Sequence, residues 1–231
     1  MGKGAPLRWI ENRYLRRYLH GKGIEIGALW RKFRVPSGVQ VWYLDRLSAE
    51  QLARHYSDLH QGIVAPDIVG DAECLPMRAG SLDFIIASHV LEHLRFPLRA
   101  LQSWYETLSP GGVLLLKVPD KRFTFDRRRA RTSLHHLIEE SGDPVGFDVR
   151  AHYADWVQHV NDRRPGQPDF ERDVQCLMEM NYSIHYHVWT DNDLKEIIEY
   201  TRRSCHMQWT PVVFWNAHFY RKEVIAVIRK E

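Results

Sequence analysis

A chain of 231 residues with 44% hydrophobic and 26% charged residues carries enough apolar material for one sizeable core, as a single large domain or one domain with an insertion. Its formal net charge of +3 is too small to mark a nucleic-acid binder, and acidic residues are spread throughout. No apolar run approaches the ~20 residues of a membrane span, and the N-terminus lacks the apolar core of a secretory signal. Cys74, Cys176 and Cys205 lie far apart without C-x-x-C spacing, which points to reduced thiols in a cytoplasmic protein.

Residues 6–19 read as a helix, with Leu7, Ile10, Tyr14 and Tyr18 at helical spacing and Gly21 and Gly23 ending it. Packing on a sheet is the plainer reading; a lid whose aromatics touch a ligand is the alternative. Residues 23–27 (GIEIG) form a short strand into a glycine turn, where Gly27 lets backbone approach a ligand closely. Residues 39–44 are a second strand ending at Asp45. An acid at that place, roughly 20 residues past a glycine turn, is where an open α/β sheet holds a ribose diol. The third position of Gly27-Ala28-Leu29 is not glycine, which argues against a dinucleotide pyrophosphate and leaves room for a nucleoside without phosphates.

Ser48, with Gln51 three residues on, is an N-cap for a helix to about residue 60. A short strand at 67–69 leads into Gly70-Asp71-Ala72-Glu73. The run 81–88 (SLDFIIAS) suits a central strand buried on both faces, followed by a helical turn at 89–94. An amphipathic helix at 97–108 stops at Ser109-Pro110-Gly111-Gly112, before a buried strand at 113–118. This alternation predicts a parallel sheet with helices on both faces. The pattern breaks after Pro119, so residues 120–188 read as an insertion over the strand ends. Thr190 caps a closing helix, and residues 207–215 and 223–229 form a hairpin with one strand antiparallel to the rest.

Together, Glu25-Ile26-Gly27, Asp45, Gly70-Asp71-Ala72-Glu73, His89-Val90-Leu91-Glu92-His93 and Leu108-Ser109-Pro110-Gly111-Gly112 resemble the class I S-adenosylmethionine-dependent methyltransferases, in the subgroup with a "VLEHL" turn and a "PGG" motif. The resemblance implies one α/β domain with a Rossmann-like, seven-stranded, mostly parallel sheet and one antiparallel strand. Its parts are an N-terminal helix or lid (1–20), a cofactor core (21–119), a substrate-side insertion (120–188), and a closing helix and hairpin (189–231). It implies S-adenosylmethionine as cofactor, held by Glu25, Gly27, Ala28, Asp45, Arg46, Asp71, Ala72, Glu73, Ser88, His89 and His93. Asp45 would take the ribose and Asp71 the adenine amino group. Family members usually show a glycine where Leu29 stands. A weaker likeness is to small bacterial enzymes of glycan or secondary metabolism and says little about substrate. The expectation is a small-molecule acceptor, methylated on oxygen or nitrogen, and a protein that is a monomer or homodimer.

Methyl transfer from a sulfonium needs alignment and exclusion of water more than acid–base chemistry. A base helps a hydroxyl or protonated amine acceptor, and His89 is the first candidate. His185 and His187 alternate, so they share a strand face and could act as bases or substrate ligands. A metal site completed by His152 is weighed and set aside, because alternating histidines usually make a polar strand face. His135 and His136 read as surface residues. Tyr153 is a further catalytic candidate; with Trp156 it shares a helix face, for packing or for walling a pocket beside Tyr182. Arg122 is placed to hold an acidic substrate, whereas Arg127, Arg128, Arg129 and Arg131 read as a solvated face. Two alternatives remain: a cyclase that closes the cofactor's own side chain to azetidine-2-carboxylate, releasing methylthioadenosine, and a non-catalytic binding module.

Overall fold

The computed structural model describes residues 13–57, 62–218 and 222–231. Seven strands form one sheet: β1 (Lys22–Ile26), β2 (Gln40–Asp45), β3 (Ile68–Val69), β4 (Leu82–Ser88), β5 (Leu108–Pro119), β6 (Trp209–Trp215) and β7 (Glu223–Lys230), in the order β3-β2-β1-β4-β5-β7-β6. Only β7 runs against its neighbours, β5 and β6. Helices α1 (Ala49–His55), α2 (Pro97–Thr107), α3 (Leu134–Gly142), α4 (Val149–His159), α5 (Pro168–Glu179) and α6 (Asp191–Ser204) complete the description.

The central strands alternate their side chains between two apolar layers. Ile24, Ile85, Leu114, Leu116 and Ala226 face α2, α3 and α6 through Leu101, Trp104, Leu137, Leu194 and Ile197. Phe84, Ile86, Val113, Leu115 and Val227 face Leu15 and Leu19, with Phe33 and Val35 beside them. The second layer departs from expectation. The connections β1–β2 and β3–β4 contain no helix among the described residues, so a helical turn at 13–18 and the loop after β1 cover that face. Residues 6–12 of the expected N-terminal helix lie outside the described residues; the part described packs on the sheet, with Tyr14 against Trp215 at 5.1 Å. Ser48 makes the expected reciprocal cap with Gln51, but α1 ends at His55, short of the expected residue 60, with Tyr56 and Ser57 already in a turn.

The Ser109-Pro110-Gly111-Gly112 run does not delay β5 as expected. Leu108 already pairs with Leu82, and Val113 pairs with Phe84, so the four residues bulge from within the strand. Gly111 takes φ 78°, open to glycine without strain. At Gly23 the constraint is contact: a Cβ there would lie 2.4 Å from the Phe84 carbonyl and 2.5 Å from its ring. Gly23→Ala should therefore part β1 from β4 and cost about 1–3 kcal/mol or more by overpacking. An unchanged urea midpoint would contradict this close approach.

The insertion carries a small core of its own, from Tyr153, Trp156 and Val157 of α4, Phe170 and Val174 of α5, and Ile184 and Tyr186. It rejoins the sheet where Asp120 bridges Trp189 at the end of β5. No helix among the described residues is long and apolar enough to cross a membrane.

Candidate cofactor and active site

Open α/β sheets bind ligands beyond the carboxyl ends of their strands. There a cavity of about 710 Å³ is lined by Gly27, Leu29, Asp45, Asp71, Ala72, His89, His93, Asn181, Ser183 and Tyr186, among others. A smaller one of about 360 Å³ adjoins it, lined by Glu25, Ala28, Trp30, Phe33, Ser88, Lys117 and Glu223; Gly27, Leu29 and His89 belong to both.

The loop after β1 has the geometry that a glycine-rich turn supplies. Gly27 has φ 65° and its N–H donates to Leu44 O at 2.9 Å. Leu29 replaces the usual glycine yet keeps a left-handed backbone, φ 49°, and its carbonyl accepts from Val64 N–H at 2.7 Å. His89 (φ 57°) and Asn181 (φ 45°) are left-handed too, and all three line the larger cavity. Such conformations cost of order 1–3 kcal/mol and concentrate where ligands are held.

Asp45 ends β2 at the cavity, its Oδ1 accepting a long bond from Leu47 N–H at 3.3 Å; burial holds its pKa above the ordinary carboxylate value, against the backbone N–H groups of Leu47 and Arg46. Asp71 folds Oδ1 back onto Glu73 N–H at 2.8 Å. Ala72 lines the cavity, with its carbonyl taken by Trp104 Nε1 at 2.8 Å. Glu73 also lines this cavity, and its Oε1 accepts Arg95 N–H at 2.6 Å and Phe96 N–H at 3.1 Å, holding the turn that leads into α2. Arg46 and Arg95 reach across the cavity rim to Asn181 O and Oδ1 at 3.3 and 3.4 Å.

Glu25 points to the other face of β1, where both carboxylate oxygens accept Phe33 N–H at 2.9 Å. Burial pushes its pKa up to about 7 against that bond and Lys32. The folded chain therefore keeps a proton there between about pH 4.3 and 7 that the unfolded chain has released. This stabilising contribution is complete at acid pH and is lost as pH rises through 7, amounting to roughly 3–4 kcal/mol at most. Glu25→Gln retains an acceptor for Phe33 and removes the titration. Its stability relative to the parent protein should rise from pH 5 to pH 8; a difference constant with pH, from urea midpoints, would overturn the assignment.

His89 does not meet the requirement of a base. Burial opposes its charge, but Glu223 at 3.0 Å from Nε2 and Glu92 at 3.4 Å from Nδ1 raise its pKa to about 10, so it stands as an imidazolium. Glu223 also holds Lys117 at 3.0 Å and, despite burial, is lowered to about 2. Neither Lys117 nor Glu223 was singled out in the sequence, although a lysine inside the apolar run of β5 was a visible signal.

His185 and His187 do not share a strand face, because residues 182–188 form no strand. His185 Nδ1 meets Asp126 Oδ2 at 2.7 Å, with its ring between Phe125 and Trp156. His187 has different partners and is fully buried, with Nε2 at 3.1 Å from Arg95 O; burial lowers its pKa to about 3. His136 is not simply surface: with Glu140 and His152 it forms a cluster joined by contacts of 2.9 and 2.7 Å.

Tyr153 is core, its hydroxyl donating to Tyr182 O at 2.8 Å; burial, then Tyr186, raise its pKa, so it is no base. Trp156 packs in the insertion core, and the Tyr182 ring lies against His55 rather than in the cavity wall. Arg122 grips Asp120 (Nε–Oδ1 2.9 Å) and also Asp191, tying β5 to α6 instead of meeting a substrate. Arg129, expected in solvent, is 3% exposed.

The fold and this pair of carboxylate-lined cavities define a nucleoside-binding Rossmann-like domain. A family described as "Methyltransferase domain" matches residues 21–200, and the chain belongs to the S-adenosylmethionine-dependent methyltransferases. It is 25% identical over 159 residues to a ubiquinone/menaquinone biosynthesis C-methyltransferase UbiE of Neisseria gonorrhoeae, covering 68% of this chain and 62% of that protein. The chain thus spans about three-fifths of the length of the curated relatives it matches. In fold, it resembles a SAM-dependent methyltransferase from Methanosarcina mazei (TM-score 0.52, 16% identity, 94% of this chain and 96% of that one). It also resembles a putative Zn-dependent alcohol dehydrogenase from Rhodobacter sphaeroides (TM-score 0.57, 13% identity, 96% and 90%). The residues fit the cofactor: Asp45 and Asp71 present carboxylates to one cavity, and a Cβ at Gly27 would press to 3.2 Å from Val90.

Proposed function

We propose that the protein transfers a methyl group from S-adenosylmethionine to an oxygen or nitrogen of a small molecule, in bacterial glycan or secondary metabolism. It would work in the cytoplasm, as a monomer or homodimer. The observation that carries this reading is that two carboxylates, Asp45 and Asp71, line one cavity large enough for more than a nucleoside. Bound there, the cofactor supplies a methyl group already activated by positive charge on sulfur.

In this reading Asp45 accepts the ribose hydroxyls and Asp71 the adenine amino group. The Gly27–Phe33 loop cradles the amino-acid end, with Glu25 opposite its ammonium and Lys117 near its carboxylate. The imidazolium of His89 stands at the seam of the two cavities and takes no proton from the acceptor. His93, Ser183 and Tyr186 wall the acceptor side, and Arg46 and Arg95 at the rim favour an anionic group on it. An acid grip, assigned from sequence to Arg122, moves to this pair.

The test is incubation of the protein with S-adenosylmethionine, alone and with small hydroxy and amino acids or sugar acids, followed by mass spectrometry. S-adenosylhomocysteine that appears only with an acceptor is the expected result. Methylthioadenosine without an acceptor would replace this reading by cyclisation, and failure to bind the cofactor would replace it by a binding module.

A further inference from the structure

The turn after β4 buries a carboxylate that no hydrogen bond satisfies. Glu92 is 1% exposed, and neither of its side-chain oxygens has a hydrogen-bond partner; Oε1 stands 3.4 Å from His89 Nδ1, an ion-pair separation. Buried charges are retained where they are paired or coordinate a metal. Two further donors converge here: Glu92, His93 and His185 each bring one ligand-type atom within 4.8 Å of the others. The two imidazoles meet edge to face, with centroids 4.6 Å apart.

What lies behind each ring matters as much. His93 Nδ1 is 2.9 Å from Ile184 O and 3.1 Å from Ser183 Oγ, while His185 Nδ1 is 2.7 Å from Asp126 Oδ2. Asp126 is in turn held by Arg129 Nη1 at 3.0 Å. Carbonyl and carboxylate acceptors place the proton on Nδ1 of both rings and leave Nε2 as the free donor. Metal-ligating histidines carry this second layer almost without exception. In the other cluster, His136, Glu140 and His152, the Nε2 atoms of both rings are already taken up by the same Glu140 oxygen, at 2.9 and 2.7 Å.

We propose that Glu92, His93 and His185 bind one divalent first-row transition-metal cation, such as zinc, manganese or iron. One carboxylate with two neutral imidazoles is a donor set suited to these ions, and three protein ligands leave positions open for a further oxygen. An ion about 2.0–2.2 Å from each donor needs them roughly 3–4 Å apart, so side-chain shifts of about 1 Å close the site. His93 also belongs to the cavity wall. The ion therefore stands on the acceptor side, where it would orient a hydroxyl- or carboxylate-bearing substrate. The acceptor's part rests on the methyltransferase reading; the ion site does not. The sequence reading, which set a metal aside, considered His152, His185 and His187 and overlooked the Glu92-His93 pair.

The test is calorimetric titration of the chelator-treated, full-length protein with ZnCl2 alone, and the visible absorption of the protein loaded with Co2+. One equivalent of Zn2+ is expected to bind. Glu92→Gln and His93→Gln, each checked for folding by circular dichroism, should both weaken binding at least about tenfold and remove the Co2+ band. If one variant fails to fold, the other carries the test. His136→Gln should leave both readings unchanged. Absence of saturable binding, or binding lost in His136→Gln and kept in Glu92→Gln, would overturn the site. A parallel titration with S-adenosylmethionine separates the two readings: cofactor bound without metal overturns the ion site alone, and metal bound without cofactor overturns the methyltransferase reading alone.

Discussion

Asp45→Ala is expected to weaken S-adenosylmethionine binding by about 1–3 kcal/mol, the usual loss when buried hydrogen-bond partners are left unpaired. That corresponds to roughly 5- to 150-fold in Kd by calorimetry. The size follows from its place. Asp45 ends a strand at the cavity, is held by backbone N–H groups of its own loop, the Leu47 bond long at 3.3 Å, and is partly desolvated before any ligand arrives. Its carboxylate is therefore available to a diol, which offers two donors. An affinity within about twofold of the parent protein would remove the ribose assignment. Asp71, one oxygen of which already serves the turn to Glu73, should show a smaller loss on substitution.

The largest loss of stability is expected at Arg129. Its guanidinium donates to Asp126 at 3.0 Å, Asp155 at 2.6 Å, His185 O at 2.7 Å and Tyr186 O at 3.3 Å, and it lies over Trp156. It gathers the start of the insertion, α4 and the returning segment onto one planar fork. Arg129→Met keeps volume but takes the guanidinium from buried Asp126 Oδ1, leaving that carboxylate with His185 and Thr124 on Oδ2 alone, and removing one partner of a buried pair costs about 3–5 kcal/mol. Arg129→Lys should fail too, since a point charge cannot serve four separated acceptors. Urea unfolding of both variants checks this; a loss below about 1 kcal/mol would show that the insertion does not depend on the fork.

Legibility in the sequence followed the range of the interaction that fixes each feature. The strands were readable because burial on both faces writes itself into neighbouring residues, as in residues 82–88 and 113–118. The cap at Ser48 needed only Gln51. Asp45 and Asp71 were readable from their positions at strand ends. The protonation of His89 was not, because it is set by Glu223, 134 residues away. The burial of Arg129 was not, because Asp155 and His185 lie on segments with no local sign of meeting it. Helical or strand periodicity likewise could not place His185 and His187, whose segment belongs to neither kind of element. Leu29 is a different case: it stands where relatives usually have glycine, and the residue type alone does not show that leucine takes the same left-handed backbone here, at some cost in strain.

The position of β7 has a consequence for the order in which the protein matures. β7 follows the other six strands in the chain yet lies between β5 and β6, and among the described residues β6 pairs with β7 alone. On the ribosome, the apolar edge of β5 must wait unpaired until the last strand emerges, and β6 cannot dock before then. Glu223, the partner of His89 and Lys117, begins that strand. Catalytic readiness and the closing of the sheet are therefore one late event, and the nascent chain is most open to chaperones and to mispairing just before it.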